Sequence, residues 1–174
     1  MMAPARGEVG REHREGISAR LDDHGQIAAT HVRPSAAEYC LVMSRENVEI
    51  VKRFIDAFNQ RDVEVFAGIT TPDFEWTTSV MAIEGEIFRG REGIDTYFER
   101  MIETWDEFRG IARECRDLGN RVLWLGRLEG RGRSSGVPIK TPLDVLFDFR
   151  DEKIWRMRSF LDHGEAMRAA GLSE

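Results

Sequence analysis

Apolar residues change their spacing twice along this chain, and the changes mark out its elements. From Ser44 onward, Val48, Val51, Phe54, Ile55 and Phe58 recur at helical steps, which brings them to one face. Ser44 is placed to cap this helix, with Glu46 in its first turn at the positive end of the dipole. Residues 59–62 interrupt the pattern. Asp62 opens a short second helix carrying Val65, Phe66 and Ile69, which Pro72 ends. Phe74, Trp76 and Thr78 then alternate with Glu75 and Thr77, as in a strand. Residues 85–90 read as a connection. Ile94, Tyr97, Phe98, Met101, Ile102 and Trp105 return to helical spacing in a third helix.

After Trp105 the period drops to two. Residues 108–117, 122–131, 140–149 and 153–162 predict four strands, joined by turns at Gly119-Asn120, 130–136 and 150–152. A short amphipathic tail over 165–172 closes the pattern. Helices followed by an antiparallel meander predict an α+β domain rather than βαβ units. Alternation separates Val122, Trp124 and Leu128 from Leu123, Leu125, Arg127 and Glu129. On the next strand it sets Asp144 and Leu146 opposite Leu143, Val145 and Phe147. On the last it groups Trp155, Met157, Ser159 and Leu161.

Before Ser44 there is no sustained rhythm; Ile17 and Leu21 alone hint at a helix. The expectation is a folded domain over 43–174. Residues 1–42 are expected to be a disordered tail, or to precede a natural start at Met43.

Composition narrows the function classes. The chain has 174 residues, 41% hydrophobic and 32% charged, enough for one domain with a real core. A formal net charge of -6 gives no electrostatic reason to grip phosphates, so nucleic acid is not an expected partner. The cluster Arg127, Arg131 and Arg133 reads as solvated strand and hairpin charge. Cys40 and Cys115 make neither a disulfide framework nor a metal pattern. No apolar run approaches the ~20 residues of a membrane span. The opening MMAPARGEVGREHREG lacks the apolar centre of a secretory signal, so the expected location is the cytoplasm. No cofactor is expected: RGREG and GRGRSSG do not follow a strand that opens into a helix. Ser134 and Ser135 sit at a hairpin tip, without a G-x-S-x-G elbow. His163, alone in the domain, reads as a capping or surface residue.

The order helix, short helix, strand, helix and four-strand meander resembles the nuclear transport factor 2-like superfamily. The phrases VKRFIDAFNQRDVEVF, PDFEWTT, FRGREGIDTYFERMIETW and RSFLDHGEAMRAAGL look like the SnoaL-like polyketide cyclase group. That resemblance covers 43–172. It implies a cone-shaped, curved antiparallel sheet packed on N-terminal helices and enclosing a pocket. It also implies a homodimer through the outer sheet face. The lining expected from it is Phe54, Phe58, Trp76, Thr78, Tyr97, Trp105, Leu146, Met157, Ser159 and Leu161. The face bearing Asp144 is expected to look into the cone. Val122, Trp124 and Leu128 would then lie outside, with no helix left to cover them, which puts Trp124 at the dimer contact.

The superfamily's chemistries can be tested residue by residue. In the steroid isomerases the tyrosine position resembles Phe54 and the base position Thr78; a phenyl ring donates nothing, and threonine is no base near neutral pH. Of the three positions, Asp144 alone is kept. Limonene-epoxide hydrolases resemble the chain through Arg127-Leu128-Glu129, two residues that can pair on one strand face, but Ser159 stands where their last-strand aspartate belongs. SnoaL-like cyclases use an aspartate as acid/base in an apolar pocket, a role that falls to Asp144, with Arg127 and Glu129 as helpers. An aspartate among Leu143, Val145, Leu146 and Phe147 must find a partner or become neutral. The structural alternative is a carboxylate satisfied by backbone or by Arg156 or Arg158. Three readings stand: a protein that binds an apolar small molecule without turnover, a SnoaL-like enzyme using Asp144, and a dimeric scaffold whose pocket is filled.

Overall fold

The computed structural model describes residues 36–80 and 86–173, with side-chain packing from Arg45 onward. The segment before residue 36 lies outside the described residues, and with it most of the expected tail. Helix α1 (Ala36–Gln60) already begins at Ala36, so Ser44 lies within it and is not its cap. Val51, Phe54, Ala57 and Phe58 form its buried stripe. Asp62 caps α2 (Val63–Gly68) by accepting the Val65 N–H at 3.0 Å. Pro72 does not end that helix; it lies inside β1 (Thr70–Thr77), where a register shift separates Thr70 from Glu75. The expected connection at 85–90 contains a short strand, β2 (Ile87–Arg89), antiparallel to β1.

Helix α3 (Gly90–Thr104) ends one residue earlier than its spacing suggests, and Trp105 becomes the first residue of β3 (Trp105–Asp117). The meander continues through β4 (Arg121–Gly132), β5 (Pro138–Arg150) and β6 (Lys153–Phe160) into α4 (His163–Ala170). The sheet runs β2-β1-β6-β5-β4-β3, with β1 parallel to β6 and its other neighbours antiparallel.

Helices α1, α2 and α3 pack on one face, called inner here. Its strand side chains include Phe74, Trp76, Val122, Trp124, Leu128, Val145, Phe147, Ile154 and Met157. The outer face holds a smaller cluster, in which Leu123, Leu125 and Leu146 lie under Ala166, Met167 and Ala170 of α4. Alternation therefore sorts β4 and β5 correctly, but the expected sides are reversed. Trp124 is 1% exposed and packs in the inner core, not on the outer face where it was expected. Asp144 and Leu146 face outward, because α4 folds back over the face that was expected to lack a helix.

Two details show why. A Cβ on Gly126 would stand 2.5 Å from the Trp124 ring, so this glycine makes room for the indole on the inner side. On β6 the register steps between Asp148↔Arg156 and Phe149↔Ile154, which leaves Trp155 as the extra residue of a bulge. Ile154 and Met157 thus both point inward, and Trp155 instead meets the guanidinium groups of Arg150 and Arg156. At the free edge of β3, Asn59 of α1 takes the part of a missing strand. It accepts the Gly110 N–H at 2.8 Å and donates to the Gly110 carbonyl at 3.0 Å.

Candidate functional site

The inner face is dominated by rings. Phe54 lies 4.0 Å from Phe66, Phe58 packs on Tyr97, Phe98 and Phe108, and Trp76 stacks on Tyr97 at 3.8 Å between centroids. Helical spacing on α1 and α3 and alternation on β1 deliver these rings to one volume, as the sequence pattern predicts. Of the expected lining, Phe54, Phe58, Trp76, Tyr97 and Met157 are brought together here. Ser159 belongs to the same side, opposite Val145. Thr78 is buried, but its hydroxyl is taken by Val80, with which it exchanges two 3.0 Å hydrogen bonds. Trp105 is half-buried and stacks on Phe108. Leu146 and Leu161 do not belong to this site: Leu146 lies under α4, and Leu161 is 44% exposed beyond the end of β6.

Polar atoms in this interior are few. The Trp76 indole Nε1 is buried with no hydrogen-bond partner among the described residues. Burial alone pushes the Tyr97 hydroxyl far above the ordinary tyrosine range, so it keeps its proton at any physiological pH. The Ser159 hydroxyl accepts the Ser79 N–H at 3.3 Å, and the Ser79 hydroxyl donates to the Ser159 carbonyl at 3.2 Å.

The three expected catalytic residues stand on the other face. Asp144, 6% exposed, accepts the Gly126 N–H at 3.2 Å through one oxygen and meets His163 Nδ1 at 2.6 Å through the other. Arg156 and Arg158, the arginines expected beside it, bind Asp148 instead, at 3.0 and 3.2 Å. Arg127 and Glu129 do pair, at 2.8 Å, on the outer surface. Glu129 also lies 3.6 Å from Arg109 and 3.7 Å from Lys140, and its carboxyl is held below the ordinary range, chiefly by the Arg127 hydrogen bond. Sequence reasoning set His163 aside as a surface residue. The signal that points to it is the buried aspartate itself, which needs a partner that the apolar neighbours of its own strand cannot supply.

Two open grooves flank α1. One, of about 630 Å³, runs from Arg45 and Ile50 to Ile69 and Lys153. The other, of about 560 Å³, lies over β3 and is lined by Val48, Ile55, Cys115 and Trp124. Burial raises the Cys115 thiol above its ordinary range, which makes it a poor nucleophile. Among the described residues no cluster of three metal-ligating side chains occurs, and no helix is long and apolar enough to cross a membrane.

Comparison with known proteins agrees with this architecture. A family model described as a SnoaL-like domain matches residues 51–157. A nuclear transport factor 2-like protein of unknown function from Burkholderia pseudomallei superimposes with a TM-score of 0.62 at 20% identity, over 71% of this chain and 95% of that one. A protein from Jannaschia sp. CCS1, classed by likeness as a SnoaL-like polyketide cyclase, gives 0.61 at 22% identity, over 76% and 96%. TerC, co-crystallised with polyporic acid, gives 0.61 at 22% identity, over 72% and 98%. At these identities the likeness is one of fold. No curated protein matches the sequence.

Proposed function

We propose that this chain, which belongs to the SnoaL-like domain family, binds an apolar small molecule against its inner aromatic face without turning it over. One observation carries this reading: the sheet separates the rings from the acid/base groups. Phe54, Phe58, Trp76 and Tyr97 lie on one side, and Asp144, Arg127 and Glu129 lie on the other. General acid/base catalysis needs its side chain within hydrogen-bond reach of the proton it moves. A ligand among the rings is out of that reach. The test is thermal unfolding with a panel of apolar small molecules. A ligand bound only to the folded state raises the midpoint. Failure of every apolar compound at saturating concentration would sink the reading.

A second reading, a SnoaL-like enzyme using Asp144, rests on the 2.6 Å pair with His163, whose ring is about half exposed. A buried carboxylate holding an imidazole is the arrangement that general bases use. Its substrate would have to approach from the outer face, where Arg127 and Glu129 also stand. That reading requires turnover that is lost equally in Asp144→Asn and His163→Gln. Under either reading we propose a homodimer, on the superfamily resemblance alone, since α4 covers the outer apolar cluster. Light scattering checks this, and a monomer mass at tens of micromolar would count against it.

A further inference from the structure

The rings of the inner face pack on one another, and the room beside them lies in the two grooves that flank α1. The grooves differ in lining. Of the nine residues around the one that runs from Arg45 to Lys153, six are charged. The groove over β3, about 560 Å³, has an apolar floor instead: Val48 and Ile55 from α1, and Ala112, Cys115 and Trp124 from the sheet. That size falls within the roughly 300–1,000 Å³ of small-molecule pockets. Val48, Ile55 and Cys115 pack against the inner core yet are only half-buried, so apolar surface of that core is left partly uncovered here. Two glycines set the depth of the floor. The Trp124 ring lies 2.5 Å from where a Gly126 Cβ would stand and 3.5 Å from where a Gly110 Cβ would stand. The indole therefore lies along the sheet, from β4 toward the free edge at β3.

We propose, resting on the binding function above, that the groove between α1 and β3 is the ligand site, and that it takes an uncharged aromatic molecule against Val48, Ile55 and Cys115, above Trp124. The rim carries charges that cancel, Lys52 and Arg113 against Asp56 and Glu114. Lys52 is already bound by Glu49 at 2.6 Å, and Glu114 by Arg116 at 2.8 Å. A ligand with a net charge gains little from such a rim, and its charge would lose water over an apolar floor. Burial holds the Cys115 thiol in its neutral form as well. An extended peptide is a poor occupant, because the adjoining sheet edge is blunted. Asn59 takes both backbone groups of Gly110, and the register steps between Ala112 and Glu114, which bulges the strand at Arg113. A compact ligand needs no free edge.

The test follows N-phenyl-1-naphthylamine, an uncharged aromatic probe that brightens in apolar sites. The full chain carries Cys40→Ser, so that Cys115 is the remaining thiol. The probe should bind, and 2-naphthamide should displace it at about tenfold lower concentration than the anionic 2-naphthoate. At ten times its Kd, the probe should slow alkylation of Cys115 by N-ethylmaleimide about tenfold, as the unoccupied fraction falls. Ala112→Phe fills the groove from an exposed position, leaving the core packed, and should weaken the probe about tenfold or more. Ile50→Lys, in the other groove, should leave its affinity unchanged. Unchanged affinity in Ala112→Phe, with Cys115 alkylated at its unprotected rate, overturns the inference and leaves the binding function standing. Tighter binding of the naphthoate overturns it as well. A dimer mass that Ala112→Phe reduces to a monomer, with no effect on the probe, would assign the groove to a second copy and overturn it too. If neither the probe nor any of the apolar panel binds, the binding function itself has failed.

Discussion

The two faces of the meander are built from the same strands yet do opposite work. The inner face buries aromatic rings from eight elements and leaves the Trp76 indole N–H without a partner among the described residues. On the outer face Asp148 binds Arg156 and Arg158, and Arg127 binds Glu129, although the Arg158 Nε is buried without a partner among the described residues. Across five strands, Arg89, Glu75, Arg156, Asp148 and Arg121 stand in register with alternating sign. Asp144 is shared between a backbone N–H and His163, and Arg121 donates to the last carbonyls of α4 at Ala169 and Ala170. The outer face is thus held chiefly by paired charges and the inner face by packed rings. Chemical residue type alone suggests the reverse, since Asp144, Arg127 and Glu129 look like the machinery.

The sharpest way to break this comparison is to empty the inner face. Phe66 is fully buried and touches Phe54, Phe74, Trp76 and Phe98. Phe66→Ala should cost about 3–5 kcal/mol in urea unfolding. A loss under 1 kcal/mol would mean that these rings pack loosely. Gly126→Ala strains the boundary between the faces, since its Cβ would lie 2.3 Å from the Ile111 carbonyl and 2.5 Å from Trp124. We expect a loss of about 1–3 kcal/mol, together with altered tryptophan fluorescence.

On the outer face the effects should be smaller and should not reach the ligand. Asp144→Ala strands the Gly126 N–H and releases His163, at a cost of about 1–3 kcal/mol. Hydrogen exchange should quicken along α4, while affinity for an interior ligand stays unchanged. A large fall in that affinity would contradict the separation of the two faces. Glu129→Gln should be the mildest change. Its carboxyl is held below the ordinary range in the folded state, so its contribution is present above the unfolded value and vanishes as pH falls through the folded one. The side chains of Arg127, Arg109 and Lys140 are well exposed, so added salt should erase even that. A melting shift of several degrees at physiological salt would show that this network does more than decorate the surface.

Much of the fold was legible in advance. The stripes on α1 and α3 and the alternation on β4 and β5 predicted which residues share a face, because those periods follow from backbone geometry alone. That Phe54, Phe58, Trp76 and Tyr97 share one buried volume was legible for the same reason. The side of the sheet was missed although a signal existed. Val122, Trp124, Gly126 and Leu128 form a set without charge, whereas the opposite set carries Arg127 and Glu129. The bulge at Trp155 left no local mark, so alternation grouped Trp155 with Met157 and Ser159 although the bulge removes it from their face. His163 was missed because its partner lies on β5, nineteen positions away.

The sequence by itself therefore determined every described element but β2, their order, and the division of β4 and β5 into two sets, since these depend on contacts between near neighbours in the chain. Only the tertiary structure decided which set lies inside, that α4 returns to cover Leu123, Leu125 and Leu146, and that Asp144 spends its carboxylate on Gly126 and His163. Those outcomes depend on which distant surfaces bury one another. Alternation is symmetric about the plane of the sheet, so it cannot choose between the two sides until helices pack against one of them.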